Sequence, residues 1–155
     1  MSLASVRAFL AEHAPDLDVI ELAGSTATVA EAATAHGTIP DQIAKTISLR
    51  LGEQVVLVVA AGTARLDNRK TKAVFGHKPR MLDRAEVEDL TGHPVGGVCP
   101  FGLKSPLPVY CDISLRAFDD VIPAAGAINS SVRLPPDRLA TLTGATWVDI
   151  CQRPE

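Results

Sequence analysis

Two neighbouring segments of strand length constrain the fold more than any other feature of the sequence. Over residues 43–51 the odd-numbered positions, apart from Lys45, are apolar, so they share one face of a strand. Residues 54–61 form a continuous apolar run, which is typical of a central strand that is covered on both faces. Because only a short turn containing Gly52 separates the two segments, we expect them to pair.

Lys45 interrupts the apolar face of the first of these strands. An unpaired ammonium group is costly to bury, so the side chain either extends to solvent or lines a cavity that holds an anion or a polar ligand. The strand pattern alone favours the first alternative and leaves the second open.

Helical spacing and helix-end signals surround this pair of strands. The patterns predict helices over residues 5–12, 28–36, 66–75, 83–90 and 136–142, and further strands over 18–22, 109–113, 132–134 and 147–150. Strands and helices mix without a strict βαβ rhythm, which predicts the α+β class with a mixed, largely antiparallel sheet and packed helices. With 155 residues and 46% hydrophobic content, we expect a single domain over residues 1–155.

Composition and charge exclude several classes of function. There is no apolar run long enough to span a membrane and no signal peptide pattern, so we expect a cytoplasmic protein. A net charge of −3 argues against a protein that coats DNA through a global positive field. Basic residues are nevertheless concentrated between positions 65 and 84, either as a local phosphate-attracting surface or as an ordinary solvated helix face.

Neither the cysteines nor the phosphate-binding motifs indicate a cofactor. Cys99, Cys111 and Cys151 are widely spaced and lack zinc-ligand neighbours, so we expect reduced thiols without a metal. Cys99 and His93 could form a nucleophile and a base, but no third orienting residue is evident. The sequence contains neither G-x-x-x-x-G-K-[ST] nor G-x-G-x-x-G.

The segment from Thr91 to Gly102, called the glycine loop below, contains four glycines and two prolines in twelve residues. Such a composition forces the backbone into fixed turns. Without side chains at Gly96 and Gly97, a ligand could lie directly against main-chain groups. We therefore expect a side chain at Gly97 to block a ligand while leaving the fold intact. The alternative to a ligand-binding loop is that this segment is only a buried connection between two strands. A second stretch of small residues, 124–131, would also admit close approach.

Four segments, taken in order, resemble the YbaK/prolyl-tRNA-synthetase-associated editing domain. They are residues 43–46 (IAKT), the strand 55–62 ending in Ala-Gly, the glycine loop and residues 112–115 (DISL), and the similarity extends over about residues 26–150. Its most specific part is Gly-x-x-x-Pro, from Gly96 to Pro100, downstream of Lys45.

The resemblance implies a free-standing trans-editing deacylase, which uses no metal or other cofactor. Such an enzyme hydrolyses the ester that joins a wrong small amino acid, such as alanine, cysteine or 2-aminobutyrate, to the 3′ end of tRNA, typically tRNA(Pro). Its partners would be mischarged tRNA and prolyl-tRNA synthetase. The implied catalytic residues are Lys45, Gly96, Gly97 and Pro100, and the implied substrate-binding residues are Thr46, Val98, Cys99, Phe101, Gly126 and Asn129. Asn129 stands near the position where several relatives contribute a histidine, which leaves the amino-acid specificity open.

Within this interpretation, Arg65, Arg69, Lys70 and Lys72 would contact the acceptor stem of tRNA. Two other functions remain open. One is a non-catalytic module that binds the aminoacyl-tRNA 3′ end or a nucleotide, with Lys45 as a phosphate contact. The other is a hydrolase that acts on another small ester through Cys99.

Overall fold

A computed structural model describes residues 2–152 of the chain. The α-helices are α1 (Ser2–His13), α2 (Val29–His36), α3 (Asn68–Phe75), α4 (Arg84–Thr91) and α5 (Pro136–Thr143). The strands are β1 (Ile20–Glu21), β2 (Ile43–Leu51), β3 (Gln54–Ala61), β4 (Arg80–Met81), β5 (Val109–Asp112), β6 (Ile122–Pro123), β7 (Ser130–Ser131) and β8 (Thr146–Val148). Short 3₁₀ helices over Pro40–Gln42 and Ile113–Ala117 precede β2 and follow β5.

The β2–β3 hairpin forms the centre of the main sheet, as the sequence pattern predicts. The two strands are antiparallel, and their register extends from Ala44 opposite Ala61 to Leu51 opposite Gln54. The strand order is β4-β2-β3-β5-β8, with β6 also beside β2. Because β5 and β8 join in parallel while the longest pairing is antiparallel, the predicted α+β class with a mixed sheet is confirmed.

The prediction is less accurate towards the C-terminus. The strand expected over residues 132–134 is instead β7, which pairs with β1. Leu134 makes only an isolated bridge with Val121, and the helix that begins at Pro136 follows directly. The last strand ends at Val148 rather than at Ile150, whose N–H donates to a carboxylate oxygen of Asp112 at 2.9 Å.

Helix caps fix the two segments that approach the open edge of β2. The Thr28 hydroxyl accepts from the N–H of Glu31 at 3.1 Å and starts α2. Asp83 and Glu86 form a reciprocal capping box at the start of α4. Gly92 ends α4 with φ +76°, a left-handed conformation that glycine adopts without steric cost. The chain then enters the glycine loop.

The core lies on both faces of the sheet. Leu57 and Val59 of β3 pack on one face with Cys99 and Phe101 of the glycine loop. The alternate residues of the same strand, Val56 and Val58, pack on the other face with residues such as Leu49 and Ile150. This arrangement accounts for the continuous apolar run of β3. None of the helices within residues 2–152 is long and apolar enough to cross a membrane.

Candidate functional site

Strand β2 has a gap in its pairing along the edge that faces away from β3. Parallel β6 covers this edge at Ile43 and Ala44, and antiparallel β4 covers it at Leu49 and Arg50. Among the described residues, no strand pairs with 45–48 on this side. The chain therefore leaves an interval of unpaired strand edge in the middle of its sheet.

The hydrogen bonds of β3 show which β2 residues face the gap. The N–H of Leu57 donates to the carbonyl of Pro108 at 2.9 Å, and the N–H of Ala61 donates to the hydroxyl of Ser114 at 3.1 Å. Both bonds point away from β2. Residues directly opposite in an antiparallel pair share this orientation, and the orientation alternates along the strand. Thr46, in the middle of the interval, therefore directs its main-chain N–H and C=O into the gap.

A cavity of about 410 Å³ lies at this gap. Its lining comes from the start of α2 (26–29 and Ala32), from β2 (43–48), from β4 and α4 (Met81, Leu82, Arg84 and Val87), from the glycine loop (Val95, Gly96 and Val98) and from Ile122, Ala124 and Ser131. Of the residues expected at the site, Lys45, Thr46, Gly96 and Val98 thus line one cavity. Strand β2 and the glycine loop thus both contribute to this cavity, although Lys45 and Gly96 are about fifty residues apart in sequence.

The side chain of Lys45 extends away from the glycine loop. Strand alternation puts it on the face of Leu49 and Leu51, opposite to the face of Thr46. Its ammonium group donates to the carbonyl oxygen of Ala64, beyond the end of β3. Ala64 lines a second cavity, of about 440 Å³. Burial is the main reason why the pKa of Lys45 is lowered from its ordinary value.

Gly96 and Gly97 of the glycine loop make room for other parts of the protein. Gly96 has φ +95°, and a Cβ atom built there would lie 2.7 Å from the Cβ of Ala27. A Cβ on Gly97 would lie 2.8 Å from the main-chain nitrogen of Ala127. Gly97 does not line the cavity, whereas Gly96 does. The expectation that bulk at Gly97 would block a ligand and spare the fold therefore does not hold.

Three further residues of the glycine loop are buried away from the cavity. Pro100 is buried, and Phe101 and Cys99 belong to the core around α1. The Cys99 sulfur lies 3.7 Å from Nε2 of His93, which donates to the carbonyl of Phe101 at 2.7 Å. Burial raises the pKa of the Cys99 thiol to about 12. Cys99 is thus protonated at neutral pH, which argues against a thiolate nucleophile.

The second small-residue stretch contributes to the cavity through other residues than those expected. The Asn129 amide donates to the carbonyl of Leu22 at 2.9 Å, and Gly126 packs against the main chain of Ser2. Neither residue lines the cavity; in this stretch Ala124 and Ser131 do.

The basic residues that are expected to contact tRNA fall into two groups. Arg65, Arg69 and Lys72 are exposed, and Arg65 lines the second cavity. Lys70 is held by Asp149 and by the carbonyl of Cys151, each at 3.0 Å. Exposed Arg84 belongs to the same sequence cluster and lines the first cavity, which the sequence did not indicate.

Sequence reasoning also missed Ser48 and the residues before α2. The signal for Ser48 was present, because Thr46 and Ser48 place two hydroxyls on the face of β2 that also carries Ala44. Residues 26–28 offered only a helix-cap pattern, which indicates a local turn rather than contact with a distant loop. Among residues 2–152, no three histidine, cysteine, aspartate or glutamate side chains are grouped so that they could hold a metal ion.

Comparisons with known proteins show the family to which this chain belongs. Residues 23–142 match the model of the aminoacyl-tRNA editing domain. The uncharacterized protein YwhH of Bacillus subtilis (strain 168) is 46% identical over 154 residues, which is 98% of each chain. The crystal structure of a candidate trans-editing enzyme for prolyl-tRNA synthetase has 35% sequence identity and a TM-score of 0.90, and the match covers 98% of each chain.

A further relative carries an ascribed activity. EbsC of Enterococcus faecalis (strain ATCC 700802 / V583), to which Cys-tRNA(Pro)/Cys-tRNA(Cys) deacylase activity is ascribed, is 29% identical over 96 residues, or 61% of this chain and 58% of EbsC. The chain thus belongs to the aminoacyl-tRNA editing domain family and is an aminoacyl-tRNA deacylase.

Proposed function

We propose that the chain acts in trans on mischarged tRNA(Pro) and hydrolyses the ester of a small wrong amino acid in the 410 Å³ cavity. Alanine, cysteine and 2-aminobutyrate are the candidates that the family resemblance implies. The single observation that carries the proposal is that unpaired main-chain groups of Thr46 and the backbone of Gly96 line the same cavity. An N–H and a C=O on one strand edge complement the ester carbonyl and the α-ammonium group of an aminoacyl ester.

The chemistry that such a site must supply is modest, because an aminoacyl ester is already labile. Water adds to the ester carbonyl carbon, the bond to the ribose 3′ oxygen breaks, and that oxygen takes up a proton. Fixed N–H donors stabilise the negative charge that develops on the carbonyl oxygen, and they need no reorganisation to do so. In this proposal the N–H of Thr46 is one such donor. In this proposal the walls of the cavity exclude larger side chains by size.

In this proposal Lys45, which lines the 410 Å³ cavity, supplies positive charge from the side of β2 on which its ammonium group meets Ala64. Its ammonium group makes a hydrogen bond to the neutral carbonyl of Ala64 and has no ion pair among the described residues. In this proposal its charge is available to a phosphate of the terminal nucleotide or to the carbonyl oxygen of the aminoacyl ester. Arg84 is suited to a phosphate contact because it is exposed and lines the cavity.

The proposed substrate implies which partners the protein would have. The exposed residues Arg65, Arg69 and Lys72 are available to the acceptor stem, whereas Lys70 is already engaged by Asp149. Contacts of this kind weaken as salt rises. Prolyl-tRNA synthetase is the partner that would charge the tRNA wrongly, and the cytoplasm is the compartment where both would be met.

The test is a deacylation assay with tRNA(Pro) charged separately with alanine, cysteine, 2-aminobutyrate and proline. We expect the protein to accelerate hydrolysis of at least one of the small wrong esters and to leave prolyl-tRNA(Pro) intact. Binding of these tRNAs without any acceleration would overturn the proposal and favour the non-catalytic alternative.

A further inference from the structure

The 410 Å³ cavity contains hydroxyl groups that differ in whether the protein already uses them. The Thr26 hydroxyl donates to the carbonyl of Ile128 at 3.2 Å, and the Thr28 hydroxyl caps α2. The Ser131 hydroxyl lies 3.1 Å from Nε2 of His36. These three groups serve the fold. Two other hydroxyls of the lining, those of Thr46 and Ser48, have no such role.

Within residues 2–152, the Thr46 hydroxyl is fully buried and has no hydrogen-bond partner. Ser48 has an exposed fraction of 6%, and its hydroxyl makes no hydrogen bond to any part of the chain that the structure describes. Buried polar groups are nearly always paired, because an unpaired hydroxyl loses its hydration without compensation. The Thr46 hydroxyl is such a buried group, and the Ser48 hydroxyl, also without a partner among residues 2–152, stands near it at the same cavity; together they indicate a partner that the protein itself does not supply.

The positions of the two hydroxyls make them a pair. They lie two residues apart on one face of β2, so they are about 7 Å apart along the strand. Opposite them in register stand Val59 and Leu57, both completely buried. Other lining residues, such as Val98 and Ile122, are apolar as well. The two hydroxyls therefore stand beside apolar surface within the cavity.

We infer that Thr46 and Ser48 select an aminoacyl group whose side chain carries a hydroxyl or thiol on Cβ, over one that carries a methyl group there. The inference rests on the proposed function, since it names the substrate class of the same cavity. A ligand hydroxyl can both donate to and accept from these side chains. A methyl group of equal size leaves them unpaired, and sites built to hydrogen-bond a substrate discriminate strongly against such analogues.

Serine and 2-aminobutyrate form the matched pair that tests the inference, because a methyl group in one replaces the hydroxyl of the other. With both esters on tRNA(Pro), we expect kcat/KM to be at least about tenfold higher for serine. Thr46→Val keeps the shape of the side chain and removes its hydroxyl. We expect this variant to bring the ratio to within about threefold of unity, and Ser48→Ala to lower it by a smaller factor.

Thr38→Val provides the control. Among the described residues, Thr38 has the other buried hydroxyl without a partner, and it does not line the cavity. We expect Thr38→Val to leave the ratio unchanged. Both valine variants should unfold at the wild-type temperature or above, because each loses an unpaired buried group. A change of ratio in Thr46→Val is then not a folding defect.

The outcomes separate the two proposals. If wild-type protein hydrolyses the 2-aminobutyryl ester as fast as the seryl ester, the inference is overturned while the deacylase function stands. If Thr46→Val keeps the full preference for serine, the assignment to Thr46 is overturned. If no small aminoacyl ester on tRNA(Pro) is hydrolysed at all, the proposed function is overturned and the inference with it.

Discussion

The main-chain N–H of Gly126 donates a 3.0 Å hydrogen bond to the carbonyl oxygen of Gly97. This bond joins the glycine loop to the second stretch of small residues. The N–H of Gly97 in turn donates to the carbonyl of Pro94 at 2.8 Å, which closes a turn within the loop. Both main-chain groups of Gly97 are thus used by the protein, and Gly96 is the member of the pair that lines the cavity.

Gly97→Ala should destabilise the fold. A Cβ atom at this position would lie 2.8 Å from the nitrogen of Ala127 and 2.9 Å from the carbonyl carbon of Gly126, so main chain must move. We expect a loss of about 2 kcal/mol, measured by chemical unfolding. Gly24→Ala is the matched control, because a Cβ atom there meets nothing within 4 Å. Equal stability of the two variants would contradict the packing described for Gly97.

Lys45→Ala should reduce deacylation of mischarged tRNA(Pro) by at least about tenfold, which corresponds to about 1.4 kcal/mol of transition-state stabilisation. The reason is the loss of the ammonium charge that Lys45 places beside Ala64, on the face of β2 opposite to Thr46. Single-turnover rates on a small aminoacyl ester would measure the effect. Lys104→Ala removes a lysine charge whose side chain is 63% exposed and should leave the rate unchanged. Wild-type rates in Lys45→Ala would rule out the proposed role.

Cys99→Ala should retain deacylation within about threefold of the wild-type rate, since a thiol that does not touch the substrate adds nothing to the barrier. The small void should cost about 1 kcal/mol of stability. Because burial raises the pKa of this thiol to about 12, iodoacetamide should react with it only slowly at pH 7 to 8. Mass spectrometry of the alkylated protein would measure that reaction. Rapid modification of Cys99 with parallel loss of activity would revive the thiol mechanism.

His93 should make the fold sensitive to acid. Burial lowers its pKa from the ordinary value of 6.5, so the unfolded chain takes up a proton more readily than the folded protein does. The stability from this residue is therefore complete above pH 6.5 and is lost as pH falls below it. We expect a smaller difference in melting temperature between pH 7.5 and pH 5 for His93→Gln than for the wild type. His36→Gln tests the same effect at a second position. Because burial also lowers the pKa of His36, we expect the difference in melting temperature to change in the same direction.

The sequence predicts the hairpin and the helix ends well because these features depend on local physics. Alternation over β2, the apolar run of β3 and the caps at Thr28 and Asp83 each lie within a few residues of the structure that they specify. The last strands depend on distant partners instead. β7 pairs with β1, which is more than a hundred residues away, and no local pattern fixes that register.

The residues of the candidate site divide in the same way, into those that the sequence predicts and those that depend on distant contacts. The resemblance brought Lys45 and Gly96 together, and both line the cavity. It could not show that Gly97 packs on Gly126, nor that Asn129 is held by Leu22, because both contacts join segments through tertiary packing. Arg84 was missed for a related reason, because its position at the cavity depends on where β4 pairs along β2.

The interval left open along β2 also bears on self-association. An unpaired strand edge is a template on which another chain can add a strand and start aggregation. Here the interval spans only residues 45–48, with β6 at one end and β4 at the other, and it lies within a cavity. An intruding strand therefore has room for few hydrogen bonds before it meets a neighbour that is already paired. The unpaired edge is thus accessible to a ligand but is too short to pair stably with a strand from another copy of the chain.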